Sequence, residues 1–131
     1  MKIKPDKYIL ALWLIFLFII SFIHPPKLSI GAGLQIDKPA HFILYGITAL
    51  MFFMVLRVKK DRKKSMLYAF LLSSLSGLII EIIQSFTPHR SFEAVDILAN
   101  TLGAAAFIIG SEAYNAITRK GRKGDRLLLT L

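Results

Sequence analysis

Glu81, Asp96 and His41 are the residues of this chain best suited to moving a proton. Two carboxylates and an imidazole are a common set for general acid and base catalysis, and imidazole is the side chain whose ordinary range straddles neutral pH. Other groups could hold a ligand: Asp37, Lys38, Tyr45, Gln84, Arg90 and Asn100. Arg90 and Lys38 suit a phosphate or carboxylate. Glu81, Asp96 and Asn100 can accept hydrogen bonds or face a cation. Asp37, Glu81 and Asp96 offer the oxygen ligands that Mg²⁺ or Ca²⁺ takes, although no metal or cofactor is assigned from the sequence. The chain has no cysteine, which excludes thiolate zinc sites, disulfides and thiol nucleophiles. It also lacks a P-loop, G-x-S-x-G and H-E-x-x-H. Ser73, Ser74 and Ser76 have no histidine at their depth, so serine hydrolase chemistry is not expected.

These polar residues must be positioned by elements that are otherwise apolar. The chain has 131 residues, enough for one domain, and is 55% hydrophobic with a mean hydropathy of +0.59. Its apolar residues gather into four blocks, about 8–23, 39–58, 66–86 and 92–117. The expected fold is all-α, an integral membrane bundle of four transmembrane helices in a single domain, 1–131. The first block has 16 residues, about 24 Å as helix, and the other three reach about 30 Å or more.

Fourteen of the seventeen Lys and Arg residues fall before block one, between blocks two and three, or after block four. The remaining gaps hold only Lys27, Lys38 and Arg90. That alternation places both termini on the cytoplasmic side. It also explains the net charge of +9 as a topology and lipid-headgroup signal, so nucleic acid is not an expected partner. Residues 1–24 share the basic start and apolar run of a signal peptide, but "HPPKLSIGAGLQ" offers no small-residue cleavage site. Residues 119–131 read as a basic cytoplasmic tail that leaves the fourth helix.

In this topology residues 87–91 form an external turn, with Pro88 stopping the third helix. At about 1.5 Å per residue, Glu81 lies about 9 Å below the turn, Gln84 about 4 Å, Asp96 about 6 Å and Asn100 about 12 Å. Gly77, Glu81 and Gln84 share one stripe at i, i+4, i+7, and Asp96, Asn100 and Gly103 repeat it, with Glu93 on the same face. On the second helix Pro39 fits the first turn, and His41 and Tyr45 share a face at i, i+4. Three helices therefore bring polar side chains to one level in the outer third of the membrane. Carboxylates in a span are expensive, at about 2.5 to 3.5 kcal/mol near mid-helix. They imply either a pairing that locks the bundle or a site. Trp13, His24 and the basic segment 57–64 read as anchors and topology signals, and Gly103 to Ala106 as a packing patch that permits self-association.

The pattern Asp37-Lys38-x-x-His41-x-x-x-Tyr45, then Glu81-x-x-Gln84, Arg90, Asp96, Asn100 and Gly103, resembles the VanZ-like family of bacterial membrane proteins over residues 37–107. One departure is Phe107, where family members often carry a second small residue. The resemblance implies a multi-pass protein of the bacterial cytoplasmic membrane and a link to teicoplanin, a lipoglycopeptide acting on the envelope.

Three functions remain open on these residues. The first is an outward-facing polar pocket, formed by Asp37, Lys38, His41, Tyr45, Glu81, Gln84, Arg90, Asp96 and Asn100. It would bind an envelope lipid, cell-wall precursor or lipoglycopeptide and lower teicoplanin susceptibility. The second is an enzyme acting on an envelope lipid through Glu81, Asp96 and His41. The third is a structural or accessory membrane protein.

Overall fold

A computed structural model describes residues 6–23, 29–30, 34–35, 37–88 and 91–128. Four helices carry the fold: α1 Lys7–Phe22, α2 Asp37–Leu56, α3 Arg62–Ser85 and α4 Ala94–Leu128. Ser29–Ile30 (β1) and Leu34–Gln35 (β2) form a two-residue antiparallel pair between α1 and α2. Everything else regular among the described residues is helical.

Three helices, α2, α3 and residues 94–121 of α4, are long and apolar enough to cross a membrane. With 16 residues, α1 is shorter than these three. It starts at an Asp6 cap, whose carboxylate accepts from the Tyr8 N–H at 2.9 Å. α4 continues past Arg119 without a break to Leu128. The turn between α3 and α4 is also wider than 87–91, since α3 stops at Ser85 and α4 starts at Ala94.

Packing is inside-out relative to a water-soluble bundle. Ile9, Leu12, Ile79, Leu98, Leu102 and Ile109 are exposed, whereas Thr48, Ser65, Ser73, Glu81, Gln84, Asp96 and Asn100 are buried. An apolar exterior around polar contacts is what a bilayer selects, because lipid does not compete for helix–helix hydrogen bonds. Ser73 Oγ donates to the Tyr45 carbonyl at 2.8 Å, joining α3 to α2. Trp13 Nε1 donates to Thr48 Oγ1 at 2.9 Å, so Trp13 fastens α1 to α2.

Helix α2 packs against each of the others, most closely against α4. A Cβ on Gly103 would overlap the Phe42 backbone carbonyl, and one on Gly46 would overlap the Phe107 ring. The place of a second small residue on α4 is thus taken by Phe107, and α2 supplies the gap at Gly46. Beneath these contacts Ala49, Phe53, Ala69, Ala104 and Ile108 form the apolar core.

Candidate functional site

The start of α2 sets Asp37, Lys38 and His41 on its first turns, opposite Glu93 and Asp96 at the start of α4. The Lys38 ammonium sits among three carboxylates. Nζ lies 3.1 Å from Asp37 Oδ2, 2.5 Å from Glu93 Oε2 and 2.7 Å from Asp96 Oδ1. The Asp96 contact is a charge pairing and not an aligned hydrogen bond. Asp96 is the most deeply placed of the three, with its side chain 10% exposed against 39% for Glu93 and 41% for Asp37.

One turn further in, His41 bridges two α4 side chains. Its Nδ1 is 2.9 Å from Asn100 Oδ1, and its Nε2 is 3.7 Å from Asp96 Oδ2. If Nδ1–H donates to Asn100, Nε2 meets Asp96 favourably only when it too carries a proton. The Tyr45 ring lies parallel to the imidazole, with centroids 6.1 Å apart. Both Asn100 and Tyr45 reach the bare flank of α3 at Gly77, where a Cβ would stand 2.6 Å from Asn100 Nδ2 and 3.0 Å from the Tyr45 ring.

Glu81 is buried on α3 and accepts from the backbone N–H of Glu93 through Oε1 at 2.9 Å. A carboxylate there ties the α3–α4 turn and satisfies a donor at the start of α4. Among the described residues, its second oxygen, Oε2, has no hydrogen-bond partner, and neither have Tyr45 Oη and Asn100 Nδ2. Unsatisfied buried polar atoms are uncommon enough to need a cause.

Asp37, Lys38, His41, Tyr45, Glu81, Asp96 and Asn100 thus occupy one end of α2–α4, as the stripes on those helices implied. Gln84 does not join them. It is buried, but its carboxamide turns toward α1 and donates to the Ser21 carbonyl at 2.5 Å, which makes it a fastener for the end of α1. Arg90 lies outside the described residues. Lys38 also departs from its expected role: its ammonium is taken up by carboxylates and does not stand free for an anion. Glu93, which the sequence puts on the site's face, holds Lys38; its i, i+3 spacing from Asp96 is the signal that could find it.

Two cavities lie elsewhere in the bundle. One is lined by Met66, Leu67, Phe70, Ala105, Ile108 and Ile109, and the other lies at the far end of the bundle around Arg57, Arg62 and Arg119. The ligand atoms of Asp37, Glu93 and Asp96 fall within 4.8 Å of one another, a spacing that suits a cation. Lys38 supplies one from within the chain.

Fold and site together define a helical bundle with an apolar exterior, three helices able to cross a membrane, and a carboxylate-rich cluster at one end. Residues 5–114 match the VanZ/LLP1 family, and the chain belongs to that family. The match takes in α1 as well as α2 and α3, more than the resemblance over 37–107 covered. The chain is also similar to an uncharacterized protein of the fission yeast Schizosaccharomyces pombe. The two are 28% identical over 110 residues, 83% of this chain and 65% of the yeast protein. The chain therefore spans just under two thirds of that relative, whose origin shows that such sequences are not confined to bacteria. No solved structure matches.

Proposed function

We propose that this VanZ/LLP1 protein crosses the bacterial cytoplasmic membrane four times with both termini inside. Its α2–α4 cluster then faces outward and binds the cationic or hydrogen-bond-donating part of an envelope amphiphile. Candidate ligands are a lipid headgroup, a cell-wall precursor or a lipoglycopeptide, with lowered teicoplanin susceptibility as the phenotype. The alternation of basic segments supports the orientation.

The observation that carries the proposal is the charge imbalance of the cluster. Four carboxylates, Asp37, Glu81, Glu93 and Asp96, gather where the only ammonium among the described residues is that of Lys38. Among the described residues, Glu81 Oε2 is left without a partner. Residual negative charge at a membrane interface favours a cation or a strong donor over an anion. The ligand's ammonium or amide would take the place of, or sit beside, the Lys38 ammonium, so its expected polarity is the reverse of one suited to Arg90 and Lys38.

Teicoplanin susceptibility of a sensitive Gram-positive host tests this, comparing wild type, Glu81→Gln and Asp96→Asn at matched membrane levels. Protection by wild type that is lost in both variants supports the site. If wild type gives none, the lipoglycopeptide is removed from the candidates. Amine-headed lipids retained by purified wild type and lost from Glu81→Gln then become the measurement. If Asp96→Asn lowers the protein level before any phenotype changes, the cluster serves the bundle and not a ligand.

A second proposal follows from His41, held between Asn100 and Asp96 in the manner of an oriented acid–base pair. Turnover of an envelope lipid by purified protein, abolished by His41→Ala and Glu81→Gln, would favour catalysis. Turnover that survives both changes would reject it.

A further inference from the structure

The opposite end of the bundle carries the second charged constellation, which the cluster at Lys38 does not use. A cavity of about 430 Å³ is lined there by Phe53 of α2, Arg57 just beyond it, Arg62 of α3, and Asn115, Thr118 and Arg119 of α4. Its volume falls within the usual range for small-ligand sites.

Three arginines from three parts of the chain line it, and gathering like charge is unfavourable without an anion nearby. Two of the three are held in place. The Arg57 guanidinium carbon lies 5.9 Å from the Phe53 ring centroid, a cation–π distance. Arg62 donates through Nε at 3.1 Å and Nη2 at 2.7 Å to Glu112 Oε1, which leaves its other amino group outside that pairing. Glu112 is the one carboxylate in contact with any of the three among the described residues. The cavity therefore keeps a positive excess, and Asn115 and Thr118 add neutral polar groups to its wall.

Planar guanidinium groups match phosphate oxygens, and several held in fixed directions select a phosphate over a diffuse anion. The family match ends at residue 114, so Asn115, Thr118 and Arg119 lie beyond it. We infer that the cavity between Arg57, Arg62 and Arg119 binds a phosphate-bearing group, either the headgroup of an anionic lipid or a soluble phosphomonoester.

The full chain, purified in a neutral detergent, is titrated with dioctanoyl phosphatidic acid, glycerol phosphate and dioctanoylglycerol, and binding is read by calorimetry. The lipid and the soluble ester share the phosphate, and dioctanoylglycerol lacks it. Arg57→Gln/Arg119→Gln removes two charges from the cavity without touching the Arg62–Glu112 pair. Lys59→Gln/Lys64→Gln removes the same charge from exposed positions outside it. The expected result is phosphate-dependent binding, weakened at least about tenfold by the arginine pair and by less than about twofold by the lysine pair. Binding of phosphatidic acid alone identifies a lipid headgroup, and equal binding of glycerol phosphate identifies a soluble ester. Equal weakening by both variants, equal binding of dioctanoylglycerol, or no binding at all overturns the inference.

Discussion

Lys38→Met is the most informative single change in the polar cluster, because it removes one ammonium from three carboxylates at once. The magnitude follows from burial. Asp37 and Glu93 keep 41% and 39% of their side-chain exposure, so their pairings with Lys38 contribute about 0–1 kcal/mol each after solvent screening. Asp96 keeps 10% and Lys38 26%, so that pairing lies nearer the buried case, in which stranding one partner costs about 3–5 kcal/mol. The remaining exposure of Lys38 argues for the lower end, and Lys38→Met should lose about 3 kcal/mol in total. Asp96→Asn in that background removes the stranded charge and should restore most of the loss, with a coupling of about 2 kcal/mol. The assay is equilibrium unfolding of purified wild type, both single variants and the double variant in mixed micelles. Emission of Trp13, the chain's only tryptophan, reports the transition. Additive losses in the double variant would refute the idea that Lys38 is the counter-charge of Asp96. So would a neutral Lys38→Met, which would mean that the carboxylates are balanced from elsewhere.

Four further outcomes follow from the same geometry. With the ammonium gone, Asp37, Glu93 and Asp96 keep ligand atoms within 4.8 Å of one another. Lys38→Met should therefore melt higher in millimolar Ca²⁺ while wild type does not respond; a matched response in wild type would show a cation site that Lys38 does not block. Gly103→Ala drives a methyl group into the Phe42 backbone and should lose about 1–3 kcal/mol without rescue. Gly46→Ala meets the Phe107 ring first and should recover when combined with Phe107→Leu, as thermal midpoints of the three variants would show. Thr48→Val leaves Trp13 Nε1–H without its acceptor and should lose about 1 kcal/mol, while Thr48→Ser keeps the bond and the stability.

The parts of the fold that were legible in the sequence rest on periodicity and on cost. Apolar blocks gave the four helices to within a few residues at most ends. Carboxylates cannot be placed idly in such blocks, which singled out Glu81 and Asp96 before any contact was known. The i, i+4, i+7 stripe of Asp96 and Asn100 and the i, i+4 face of His41 and Tyr45 fall at one level, and Asp96, Asn100 and His41 meet. What remained illegible depends on rotation about a helix axis and on partner choice. Gln84 shares a stripe with Glu81, yet the arrival of α1 beside it offers the Ser21 carbonyl, and a carboxamide takes the nearer acceptor. Phe107 marks a departure from small-residue spacing on α4, but its compensation at Gly46 sits on another helix 61 positions away. Lys38 reads as an anion holder in the sequence because Asp37 alone stands beside it; Glu93 and Asp96 reach it only when α4 folds back.

The two ends of the bundle differ in a way that orientation alone does not explain. A topology signal needs only charge in loops, and the exposed Lys59, Lys60, Lys63 and Lys64 already provide it. It does not require Arg62 to reach back and fix itself on Glu112 across α3 and α4, nor Arg57 to lie over the Phe53 ring. Nor does bundle locking require four carboxylates where one pair would serve, since a buried pair is often no better than an apolar contact. In both places the number of like charges exceeds what folding or insertion asks for. Among the described residues the excess is negative around Lys38 and positive around Arg57, and α2 connects the two. A ligand that relieved either excess would be felt by the same helix.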